Sequence, residues 1–169
     1  MARKAIGIDV SGSSIKAVEL VYSRMGAEVT SFFSEKLKDE EVPEEFTNVL
    51  RSKVARGTRV VSAIPAGQVI LRSAVVPFRN EKRIRQIVKF EAERYLPFPA
   101  EEAVVDFYIV GPEKQGGCRI MLVTVRRAFL EKHVSFLKGL GAEPGVVGRP
   151  GPDRPAKRGP IRALHGPVL

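Results

Sequence analysis

IGIDVSGSSIKAVEL, residues 6–20, is the stretch from which the fold can be read. Apolar residues alternate on either side of a run of small ones, Ser11, Gly12, Ser13 and Ser14, which reads as two strands joined by a tight turn. The flanking residues extend the strands to 4–10 (KAIGIDV) and 15–22 (IKAVELVY). Two chemical readings of the turn stand side by side. In one it is a hairpin bend whose serines are merely solvated. In the other it is a phosphate cradle. Gly12 permits the tight path, and small side chains let backbone N–H groups converge on an anion. The hydroxyls of Ser11, Ser13 and Ser14 add donors, Lys16 adds a point charge, and Asp9 can seat a hydrated Mg2+. The spacing is neither GxxxxGK[ST] nor GxGxxG, and the segment after the turn alternates like a strand, so no helix dipole contributes.

On the C-terminal side, a third strand from about Glu28 to Lys36 completes an antiparallel meander. PEEFTNVLRSKV, opening at Pro43, spaces Phe46, Val49, Leu50 and Val54 as a helix does, with acidic residues first and basic ones last. RVVSAIP (59–65) and QVILRSAVV (69–76, with Gln68 before it) read as strands, ended by Pro65 and Pro77. In NEKRIRQIVKFEAERYL, Asn80 can cap a helix whose apolar stripe is Ile84, Ile87, Val88, Ala92, Tyr95 and Leu96, stopped by Pro97. AVVDFYIVG (103–111) and CRIMLVTV (118–125) form a strand pair across the PEKQGG loop. RRAFLEKHVSFLKGLG gives a last amphipathic helix through Phe129, Val134, Leu137 and Leu140. From Gly148 onward, Gly, Pro and Arg crowd a segment with neither periodicity, and residues 148–169 are expected to be a disordered tail.

Composition narrows the function classes. At 44% hydrophobic and 28% charged residues the chain is globular, and no apolar run is long enough to cross a bilayer. The start MARKAIGIDV carries no secretory-type apolar segment, so a cytoplasmic location is expected. A single Cys118 cannot form an internal disulfide and reads as a buried strand thiol, and two histidines cannot build a metal cluster. The net charge of +9 raises nucleic acid as a partner, but residues 148–169 hold five of the 28 basic and one of the 19 acidic residues, leaving 23 against 18 elsewhere. Lys82, Arg83, Arg85, Lys89 and Arg94 lie on one predicted helix, where Glu81 with Arg85 and Lys89 with Glu93 are four apart and no aromatic platform interleaves them. That pattern is a solvated face, so no nucleic acid is expected as a partner.

IGIDVSGSSIKAVEL resembles the first phosphate motif of the actin-like ATPase superfamily, and specifically that of the PilM family of type IV pilus assembly proteins. VVSAIPAGQVILRSAVVP (60–77), IVKFEAERYLPFPAEEAVVDFYIV (87–110) and IMLVTVRRAFLEKHVSFLKGLGAEP (120–144) resemble the same family in order and spacing, so the likeness covers about residues 4–147. The middle block, a glutamate-containing helix running into LPFP and an acidic pair, is the more specific. The turn is shared with sugar kinases and chaperone ATPases.

The resemblance implies an α/β fold. A ribonuclease-H-like, actin-type lobe would take residues 1–65 and 126–147, with a small αβ subdomain of the kind also seen in FtsA inserted at 66–125. It implies ATP and Mg2+ as ligands, with Asp9 toward the metal through water, Ser11, Gly12, Ser13 and Ser14 around the phosphates, and Lys16 as counter-charge. It also implies a partner: PilM-like proteins take the cytoplasmic tail of the inner-membrane protein PilN between their first two subdomains, where Leu96, Pro97 and Phe98 would line a groove. Against this stands the plainer reading of Leu96 and Phe98 as core residues closing a helix. The resemblance places the protein at the inner membrane through a partner, without insertion of its own. The family's second lobe has no counterpart in the sequence, so the chain is expected to be a truncated form, to bind ATP weakly, to lack turnover by itself and to self-associate through exposed strand edges. Two other classes share the turn or the fold. A sugar-kinase-like enzyme needs a catalytic carboxylate and a closing second lobe. A GspL-like component of the type II secretion platform shares the fold, but such proteins tend to lose the phosphate turn.

Overall fold

The computed structural model describes residues 3–24, 26–37 and 41–148. Along them run strands β1 (Arg3–Ser11), β2 (Ser14–Ser23) and β3 (Gly26–Lys36), helix α1 (Glu44–Lys53), strands β4 (Arg59–Ala63) and β5 (Val69–Val76), helix α2 (Glu81–Glu93), strands β6 (Ala103–Pro112) and β7 (Cys118–Arg126), helix α3 (Arg127–Gly139) and strand β8 (Val146–Gly148). The chain forms two compact units, one made up to Ala66 and again from Lys132, the other by Gly67–Glu131. The fold is the mixed α/β arrangement expected, with a smaller αβ unit inserted in a larger one.

In the first unit the sheet order is β3-β2-β1-β4-β8. The antiparallel meander is as the turns dictate, while β4 adds in parallel beside β1 and β8 in parallel beside β4. Alternation puts Ile6, Ile8, Ile15 and Ala17 on one face, where they pack with Val60, with Phe46 and Leu50 of α1 and with Leu137 of α3. Leu50 and Leu137 are fully buried, and each such side chain contributes about 1.5–3 kcal/mol. The rings of Phe33 and Phe46 meet at 4.9 Å between centroids. Among the described residues of this unit one carboxylate is buried: Glu19 accepts from Lys53 Nζ of α1 at 2.9 Å and from Lys4 Nζ of β1 at 3.3 Å. The hydrogen bond from Lys53 holds the Glu19 carboxyl below its ordinary pKa against the opposing effect of burial, with Lys4 assisting.

In the second unit the antiparallel order is β5-β7-β6. Ala74, Val76, Phe107, Cys118, Ile120 and Leu122 form the sheet face against which α2 lays Ile84, Val88 and Ala92. Asn80 caps α2 as its position predicts, its Oδ1 accepting from the backbone N–H of Lys82 at 2.9 Å and of Arg83 at 3.3 Å. Cys118 is the buried thiol expected. Its Sγ donates to the carbonyl of Phe78 at 3.0 Å, and burial pushes its pKa up.

Several expectations are corrected. Helix α2 ends at Glu93, so Tyr95 and Leu96 leave the apolar stripe, because the residue before Pro97 is driven out of helical conformation. Among the described residues Lys89 and Glu93 make no ion pair, whereas Glu81 and Arg85 do, at 2.9 Å. On α3 the buried positions are Leu130, His133 and Leu137, while Phe129 and Val134 are only half-buried. Gly148 is not tail but the last residue of β8, whose Val147 pairs with Ser62. The rest of the expected tail, 149–169, lies outside the described residues.

Candidate phosphate-binding hairpin

The residues singled out from the motif come together at one end of the β1–β2 hairpin. Ser11 pairs with Ser14, so the connection is Gly12 and Ser13 alone. Gly12 has φ +53°, and a Cβ there would meet nothing within 4 Å. Glycine is therefore favoured by the left-handed backbone rather than by crowding. The backbone N–H of Leu37 donates to the carbonyl of Ser13 at 2.7 Å and ties the turn to the end of β3. Gly12, Ser13 and Lys16 are exposed, and Asp9, Ser11 and Ser14 are half-buried.

Register fixes the faces. Asp9 lies directly opposite Lys16, and Ser11 opposite Ser14. All four share the sheet face opposite to the one bearing Ile8 and Ile15, since side chains alternate along a strand. Directly opposed residues have Cβ atoms about 4.5–5.5 Å apart, so a carboxylate and an ammonium flank the turn together. Two of the hydroxyls expected as donors are engaged internally: Ser11 Oγ donates to Asp9 Oδ2 at 3.0 Å, and Ser14 Oγ to the carbonyl of Ser11 at 3.3 Å. The donors left exposed are the Ser13 hydroxyl and Lys16, beside the backbone of the turn. This set fits a phosphate, and Asp9, with Oδ2 held by Ser11, keeps Oδ1 for the water of a hydrated Mg2+, which takes few protein ligands. Among the described residues no group of three or more metal-ligating side chains exists.

Beneath the hairpin lies a polar contact that sequence reading missed. Ser62 Oγ of β4 donates to the carbonyl of Ile8, next to Asp9, at 3.1 Å and stands 2.9 Å from Nε2 of His133 on α3. The single hydroxyl proton serves one of these two acceptors at a time, and with it on the carbonyl Ser62 accepts from His133 Nε2. Both residues are buried. Burial lowers the His133 pKa, and the charge of Asp9 partly offsets that. The two residues are 71 apart in sequence and on elements of different period, so no local signal joins them.

Leu96, Pro97 and Phe98 belong to the second unit. They are not core: Pro97 is exposed, and Leu96 and Phe98 are half-buried. The Phe98 ring lies 4.5 Å from the guanidinium of Arg126, which also faces Glu102 at 3.8 Å.

Comparison with known proteins places the chain in a family. The family described as type IV pilus assembly protein PilM matches residues 7–148. Among solved structures, the PilM-PilN type IV pilus biogenesis complex contains a chain 26% identical to this one, with a TM-score of 0.70 over 86% of this chain and 47% of that one. The cytoplasmic domain of EpsL, an inner membrane component of the type II secretion system of Vibrio cholerae, is 19% identical, with a TM-score of 0.61 over 89% of this chain and 60% of that one, a likeness of fold. The chain thus spans about half the length of the first of these structures.

Proposed function

This chain belongs to the type IV pilus assembly protein PilM family, and we propose that it serves pilus assembly as a cytoplasmic adaptor that binds the tail of a PilN-like inner-membrane protein and carries the first phosphate-binding turn of an actin-like nucleotide site. The observation that carries the reading is the family match across residues 7–148, which takes in both the hairpin and the LPFP segment. One solved structure similar to it is that of a PilM-PilN complex.

Leu96, Pro97 and Phe98 are the proposed contacts for the partner's tail. At the hairpin, Lys16 and the Ser13 hydroxyl would meet phosphate oxygens, and Asp9 would hold the water shell of Mg2+, which when bound offsets phosphate charge. The Ser62–His133 contact holds the Ile8 carbonyl and with it the strand position of Asp9. Retention of the serine turn favours this reading over a secretion-platform one.

Co-expression of the full chain with a tagged PilN-type cytoplasmic tail, followed by capture on the tag, tests the adaptor role. Stoichiometric capture that falls in Phe98→Ala is expected. A folded chain that is never captured would overturn it.

A further inference from the structure

Helix α2 commits Ile84, Val88 and Ala92 to the core of its unit. At about 100° per residue, the side turned away from that core carries Lys82, Arg83, Gln86, Lys89 and Phe90, and all five are exposed. Phe90 is 71% exposed, more than any other large apolar side chain among the described residues. An aromatic ring therefore does stand among the cations.

The charges on this face differ from those beside it. Arg85 is held by Glu81 and Asp106, and Arg94 by Glu91. Lys82, Arg83 and Lys89 have no carboxylate within ion-pair distance among the described residues, and the guanidinium of Arg83 instead lies 5.8 Å from the Phe78 ring. Arg79, just before the helix, is engaged elsewhere, donating to the carbonyl of Gly117 at 3.1 Å. Glu93, at the last turn, is the acidic residue set against them.

We propose that this face of α2 rests on an anionic phospholipid bilayer, with Lys82, Arg83 and Lys89 among the headgroup phosphates and Phe90 entering the boundary between headgroups and acyl chains. Lys82 and Lys89 are two turns apart, about 10 Å along the axis, so both meet one plane when the helix lies flat on it. A single ring between cations suits a bilayer, where aromatic and basic side chains act at one depth. Single-stranded nucleic acid calls for successive rings along a groove. The inner face of α2 stays packed on its sheet, so the contact is peripheral and crosses nothing. It is independent of the adaptor reading and would add to any recruitment through a protein partner.

The test uses the full chain in co-sedimentation with vesicles of phosphatidylglycerol and phosphatidylethanolamine, against vesicles of phosphatidylcholine. Binding to the anionic vesicles alone, weakening as salt is raised, is expected. Each cation near such a surface contributes about fivefold in affinity, so reversing two in Lys82→Glu with Lys89→Glu lowers binding by about 25-fold or more. Phe90→Ser lowers it several-fold while leaving the salt dependence in place. Unfolding curves matching the parent show that these exposed changes leave the fold intact. Parent-like vesicle binding by the double variant overturns the proposal, because the cations of residues 149–169 would then carry it. So does a parent chain that ignores anionic vesicles, or one that binds a generic single-stranded oligonucleotide more tightly than the vesicles.

Discussion

Replacing Gly117 by alanine gives the sharpest structural test. Gly117 closes the β6–β7 connection with φ +74°, just before β7, and a Cβ built there lies 2.0 Å from the carbonyl oxygen of Val76 and 2.9 Å from Cα of Pro77. Both obstacles are backbone, so no side chain can rotate away. The left-handed conformation costs about 1–2 kcal/mol for a residue with a Cβ, and forcing extra volume into a packed position adds about 1–3 kcal/mol. The expected loss is therefore about 2–5 kcal/mol from the second unit. Relief would have to come from the end of β5, where Val76 pairs with Cys118, and the carbonyl of Gly117 would lose its bond from Arg79 Nε at 3.1 Å. Gly12→Ala is the control, since its φ is also positive but its Cβ meets open space. It bears the cost of the conformation only, about 1–2 kcal/mol. Urea unfolding followed by circular dichroism, read beside amide exchange of β7, separates the two variants. Equal stability of Gly117→Ala and Gly12→Ala would refute the close approach on which the β5–β7 junction rests.

Ser62→Ala removes the buried hydroxyl that meets both the Ile8 carbonyl and Nε2 of His133 and should cost about 1–3 kcal/mol by denaturant titration. His133, whose folded pKa lies below its ordinary value of 6.5, is fully compatible with the fold only while neutral. Stability should therefore fall as pH drops below that value, more steeply than in His133→Gln, by thermal melts across the range. Glu19, whose folded pKa is depressed below 4.5, contributes stability above that pH that is lost as pH falls through the folded value. Glu19→Gln should flatten that acid limb. Lys16→Ala and Asp9→Asn should each weaken calorimetric binding of MgATP by about 10- to 100-fold if they hold phosphate and the metal's water shell.

The period-two runs at 4–10 and 15–22 made the hairpin legible, because a strand with one buried face repeats its pattern every second residue. Asn80 declared the start of α2 for a similarly local reason. The parallel addition of β4 to β1, and of β8 to β4, was not legible, since pairing register between distant segments leaves no periodic trace in either. Nor was the commitment of the Ser11 and Ser14 hydroxyls to the hairpin itself, which depends on rotamers rather than residue types. The stripe on α3 was misplaced because Phe129 and Val134 are as apolar as the residues that are buried, and a histidine, His133, took a buried position that a hydrophobic count passes over. Phe90 shows the opposite case: it is as apolar as its neighbours on α2, yet its angular position opposite Ile84 and Val88 places it outside.

The adaptor claim is tested most directly by mapping where a PilN-type tail touches this chain. A tail peptide carrying a photoactivatable phenylalanine, crosslinked to the full chain and read by mass spectrometry, should label the segment containing Leu96, Pro97 and Phe98, and unlabelled peptide should compete the label away. Labelling confined to other segments, or label that excess peptide fails to displace, would contradict the account.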